Sequence, residues 1–110
     1  MMADVARGRL LPSSSTPDVG ERVEEIVSVA NVVVKQILSA EQDVPADYLQ
    51  QWDELVVVLA GAAVIEIDGE HCDLRAGEWA LLPARIPHRL VSTSSETNWL
   101  VVHVYEPGLR

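Results

Sequence analysis

The sequence predicts an all-β domain, an antiparallel sandwich or barrel of about seven short strands. Three observations predict it. Apolar and β-branched runs of strand length recur from residue 31 to residue 105. Between them stand the turn pairs Ala60-Gly61, Asp68-Gly69 and Ala76-Gly77, residues that tolerate positive φ. Helical connections of the length that parallel β-α-β units need are absent between those runs, so the strands must run antiparallel. Closure would also hide the edges of strands as apolar as Leu55–Leu59.

Residues 1–20 mix Gly, Pro, Ser and charge without sustained periodicity. They read as a flexible N-terminal arm with a short ordered piece, ahead of a barrel domain spanning 21–110. Glu21–Val29 places Val23, Ile26 and Val27 at helical spacing, so a short helix is expected there. Strand begins after Asn31, with Val32-Val33-Val34 and Ile37-Leu38 separated by Lys35 and Gln36. Ala40–Asp53 carries Glu41, Asp43, Asp47, Asp53 and a proline but no basic residue, and reads as a long loop. Leu55–Leu59 and Ala62–Asp68 form a hairpin about Gly61. His71–Leu74, Trp79–Leu82, His88–Ser92 and Asn98–Tyr105 follow as strands, with Pro83–Pro87 as a rigid loop. The expected core is Val56, Val58, Ile65, Ile67, Leu82, Leu90, Val102 and Val104, or their strand neighbours, since a one-residue slip exchanges the faces.

At 110 residues the chain suits one domain. The net charge is −9, and the eight basic residues are scattered, with one small cluster at Arg85-Ile-Pro-His-Arg89. That argues against nucleic acid and against an anionic membrane surface. The longest apolar stretch, Leu55–Ile65, is 11 residues, where a bilayer-spanning helix needs about 20. No N-terminal segment has the basic start and apolar run of a signal peptide. A single cysteine, Cys72, allows neither an intrachain disulfide nor a Cys-Cys metal pair. A reducing, cytoplasmic setting is therefore expected, with Cys72 as a small buried hydrophobe.

Two stretches carry a family resemblance. In "YLQQWDELVVVLAG", Glu54 and Gly61 have the spacing of the first signature block of the cupins, and Tyr48 and Gln50 stand where that block has His-x-His. In "GEWALLPARIPH", Gly77, Pro83 and His88 match the second block, while Arg85 and Ser92 replace its glycine and asparagine. The turn "IDGE" and the strand "WLVVHVY" are also typical. From Tyr48 to Glu106 the chain resembles a small bacterial cupin of a kind with Tyr-x-Gln in place of His-x-His.

The resemblance implies a jelly-roll barrel with a small-molecule ligand in its cavity. It further implies one divalent transition metal (Fe, Zn, Ni or Mn) held by Glu54, His88 and Gln50, and a metal-dependent enzyme such as an oxygenase or isomerase. Cupins also include proteins that bind or build without catalysis, so a non-catalytic binding or structural role stands beside the enzyme.

The residues themselves leave alternatives open. His88 opens a strand behind a proline-bounded loop and can point into a barrel mouth or simply pair with Arg85 or Arg89. Glu54, a carboxylate among apolar strand residues, needs a cation or donor, from the pocket or from those same arginines. Tyr48 and Gln50 are expected at the pocket rim, or as an ordinary aromatic contact and a solvated side chain. Alternation puts Val101, His103 and Tyr105 on one face of the last strand, so His103 and Tyr105 either line the cavity or serve structure alone. His71 is expected in solvent. Trp52, Trp79 and Trp99 suit core and interface packing better than ligand stacking. The apolar strands and tryptophans further suggest a homodimer, with the strand near Val32–Leu38 as a contact. No phosphate loop, serine nucleophile elbow or His-Glu-x-x-His motif is present.

Overall fold

The structure, a computed structural model, describes residues 5–107. It holds nine strands: β1 (Glu21–Val29), β2 (Val32–Ser39), β3 (Ala46–Tyr48), β4 (Asp53–Ala60), β5 (Ala62–Ile67), β6 (Glu70–Arg75), β7 (Trp79–Leu82), β8 (His88–Thr93) and β9 (Thr97–Val104). They form a five-stranded sheet in the order β1-β2-β9-β4-β7 and a four-stranded sheet in the order β3-β8-β5-β6. Every pairing between strands is antiparallel. The two sheets enclose the core as a jelly roll. No helix among the described residues is long and apolar enough to cross a membrane.

Alternation explains the inner faces. Along β4, Glu54, Val56 and Val58 are buried while Leu55, Val57 and Leu59 lie further out. Their register partners on β9 are His103, Val101 and Trp99, which are buried too. Residues directly opposite in an antiparallel pair point the same way, so these cross-strand pairs build one face. Ala63, Ile65, Leu74, Leu82 and Leu90 complete the core cluster, with Ile67 packed partly against it. Val56, Val58, Ile65, Leu82 and Leu90 sit where the sequence put them. Val102 and Val104 do not. They turn outward, and their neighbours Val101 and His103 face in, because the register fixed by β4 leaves them no inward position.

Three further expectations are corrected. Glu21–Val29 is strand, not helix: it pairs along its length with β2. A bulge between Glu25 and Val27 shifts its parity, and that shift is what makes Val23, Ile26 and Val27 mimic a helical period. The long loop contains β3, which pairs Ala46, Asp47 and Tyr48 with Leu90, Arg89 and His88. Cys72 is half-buried rather than buried. Trp99 is core and Trp52 half-buried, while Trp79 is 65% exposed.

The segment before β1 is fastened to the outside of the five-stranded sheet. Gln36, fully buried on β2, accepts the Leu11 backbone N–H at 2.8 Å and donates to the Leu11 carbonyl at 2.9 Å. Its Nε2 also donates to Asn98 Oδ1 on β9, and Asn98 Nδ2 donates to Ser13 Oγ. Ser13–Ser15 is a single 3-10 turn. At the β4–β5 turn, Gly61 has φ +81°, and an added Cβ would stand 2.8 Å from the Thr97 backbone. Only glycine fits there.

Candidate functional site

The interior opens at one end into a cavity of about 220 Å³. Its apolar wall includes Val56, Ile65, Leu82, Leu90, Trp99 and Val101. Glu54, His88, His103, Gln50 and Tyr48 supply its polar lining. The exposed members of the lining, Glu21, Val23 and Tyr48, mark the opening.

Each polar residue is placed by a strand start or a fastened loop. Glu54 is the second residue of β4 and the register partner of His103 on β9. His103 Nε2 lies 2.8 Å from Glu54 Oε1, both residues being 8% exposed. An ionised carboxylate can only accept, so Nε2 carries the hydrogen and donates. Tyr105 Oη stands 3.4 Å from the other ring nitrogen, Nδ1. The Trp52 ring packs against both His103 and Tyr105, with centroids 5.4 and 5.0 Å apart.

His88 opens β8, and its Nε2 is 3.9 Å from Glu54 Oε2. The Tyr48 ring stacks on it at 5.5 Å with the planes 15° apart, as expected of register partners on β3 and β8. The loop ahead of His88 is tied to the segment ahead of Glu54. Arg85 N–H donates to the Gln50 carbonyl at 2.7 Å, and Ala84 N–H donates to Asp53 Oδ1 at 2.8 Å. Those two bonds bring the strand starts together at one end of the barrel.

Two polar atoms of the site have no partner among the described residues. Gln50 Oε1 and His88 Nδ1 are both buried and unpaired. Leaving such groups unmatched costs free energy, so a ligand or solvent donor has a place to bind. Partial burial pushes the Tyr48 phenol above its ordinary value, and the negative charges of Glu21 and Glu54 add to the effect. Tyr48 is therefore a neutral hydroxyl, not a phenolate.

Glu54, His88, Gln50 and Tyr48 thus surround one cavity. His103 joins them, and Tyr105 does not line the cavity but buttresses His103. The arginines do not reach Glu54. Arg89 pairs with Asp47 at 2.7 Å and Arg85 with Glu106 at 3.8 Å. His71 is exposed beside Glu66. Sequence reasoning passed over Lys35, Ile37, Glu21 and Val23, which also line the cavity. The signal for Lys35 was present: it interrupts an apolar strand at a position of inward parity.

The residues do not fit the metal that the resemblance implies at Glu54, His88 and Gln50. Among the described residues no group of three or more His, Cys, Asp or Glu is placed to hold an ion. One oxygen of Glu54 is taken by His103. Tyr48 and Gln50 replace the two histidines of the first block, and a neutral phenol and a carboxamide are poor substitutes for imidazole.

No curated protein matches the chain in sequence. Among solved structures, a Ralstonia eutropha protein named a "putative mannose-6-phosphate isomerase" is 28% identical. The alignment covers 90% of this chain and 100% of that one, with a TM-score of 0.75. A cupin superfamily protein from Desulfitobacterium hafniense is 18% identical over 96% of this chain and 99% of that one, with a TM-score of 0.76, and supports the fold alone. The family model described as the cupin domain matches residues 35–105. That span runs from β2 to the end of β9 and takes in both signature blocks, and the chain belongs to the cupin family.

Proposed function

We propose that the protein binds a small organic molecule in its barrel cavity, holding a hydrogen-bond-donating head group at Gln50, Glu54 and His88. The observation that carries this reading is Gln50 Oε1, a buried carboxamide oxygen on the cavity wall without a partner. An N–H or O–H of the ligand satisfies it, and the apolar wall takes the ligand body. The volume of about 220 Å³ lies below the range of roughly 300–1,000 Å³ typical of drug-sized ligands, so the ligand is small.

The test is ligand-observed NMR with small hydroxylated aromatic and aliphatic compounds, run on the wild type and on Gln50→Ala. Binding in the cavity that weakens in the variant supports the reading. Binding unaffected by Gln50→Ala, or seated outside the barrel, removes it.

A second reading, catalysis, draws on Glu54 standing between two imidazole Nε2 atoms at 2.8 and 3.9 Å. A carboxylate so placed can take a proton from a bound ligand at Oε2 while Oε1 keeps its contact with His103, which is the arrangement of general-base chemistry. Isotope exchange from deuterated solvent into a bound compound, lost in Glu54→Gln, would separate catalysis from binding.

A further inference from the structure

The cavity holds one feature that the head-group site does not use. Lys35 lies on β2 as the register partner of Val101 on β9. Val101 faces inward and is buried, so Lys35 shares the inner face, and it lines the cavity. It is half-buried, and among the described residues it forms no ion pair. Its register partner on β1 is Glu25, beside the bulge, and a half-buried ammonium on the inner face of an apolar strand gives up part of its hydration.

Its position relative to the head-group site is set by register. Glu54 pairs with His103 and Lys35 with Val101, on opposite sides of β9. The two lie two strand spacings apart across the sheet and two residues apart along it, about 12 Å between Cα atoms. Both residues line the same cavity of about 220 Å³.

We propose that the ligand of this cavity is a small organic carboxylate, its anionic end held by Lys35 and its donor end by Gln50 and Glu54. The proposal rests on the reading above that the cavity binds a small molecule with a donor head group. A carboxylate suits the site better than a phosphate, because a single ammonium stands there with Glu21 near the opening and no arginine in the lining. A doubly charged group would meet more repulsion than one lysine offsets.

The probes are 4-hydroxybenzoate and its uncharged counterpart 4-hydroxybenzamide, titrated calorimetrically into the wild type, Lys35→Met, Lys35→Arg and Gln50→Ala. The acid is expected to bind the wild type roughly tenfold more tightly than the amide. That preference should vanish in Lys35→Met, persist in Lys35→Arg, and survive in Gln50→Ala while both probes weaken. Circular dichroism establishes that each variant keeps its β structure. An acid that binds no better than the amide, or a preference that survives Lys35→Met, overturns the proposal and leaves the head-group reading standing. Failure of both probes to bind the wild type overturns both.

Discussion

Glu54 and His103 are register partners on adjacent strands, and their side chains meet at 2.8 Å inside the barrel wall. A carboxylate buried beside Val56 and Leu82 would be costly alone. The imidazole satisfies it, while Tyr105 and Trp52 hold the imidazole.

Removing one partner should therefore cost more than altering the other. His103→Ala is expected to destabilise the fold by about 2–4 kcal/mol, since Glu54 is left buried without its donor. Glu54→Gln keeps an acceptor for Nε2 and should cost under about 1 kcal/mol. Urea unfolding of the two variants measures both. A neutral His103→Ala would show that the pair contributes nothing to the fold.

Metal content follows from the donor set. Protein purified without added metal should carry well under one transition-metal ion per chain, and a chelator should leave its melting temperature unchanged. Elemental analysis decides this. One bound ion per chain, lost in His88→Ala, would reinstate a metal centre at Glu54, His88 and Gln50.

Tyr48 gives a pH dependence. Its pKa is raised in the folded state, so the folded chain keeps a proton that the unfolded chain has released. Stability from this group is full below the ordinary tyrosine value of 10.0, falls as pH rises from there through the folded pKa, and levels off above it. Absorbance titration of the two tyrosines should show one late step, absent in Tyr48→Phe. A Tyr48 step at or below the free-tyrosine value would contradict the stacked, partly buried placement.

The expected homodimer would need a strand with an open side. β2 is paired on both sides, by β1 and β9, and has no edge to offer. β1 is an outer strand of that sheet, as β7 is on the other side, and on β1 Val23, Ile26, Val27 and Val29 are 40–67% exposed. Light scattering is expected to show a dimer at micromolar concentration and a monomer for Ile26→Lys. A monomeric wild type would refute the expected dimer.

Much of this was legible in the sequence because it rests on local signals. Turn pairs at Gly61, Gly69 and Gly77 divide the strands, and the spacing of Glu54, Gly61 and His88 identifies the two blocks whose strand starts converge. What escaped depends on long-range register. The inward choice of Val101 over Val102 is made by pairing with β4, and the strand identity of Glu21–Val29 by pairing with β2 across a bulge. The contact of His103 with Glu54 joins residues 49 apart in sequence, which alternation within one strand can permit but not specify.

The clamp of Gln36 on Leu11 orders events in time. Its bonds join residues 25 positions apart, the Gln36–Asn98 bond spans 62, and the Asn98–Ser13 bond spans 85. Leu11 is held by Gln36 on β2, whereas the Ser13 bond needs Asn98 on β9, the strand that pairs with β2. A contact of that sequence separation costs more loop-closure entropy than a local one, so the segment around Ser13 is expected to settle onto the sheet late.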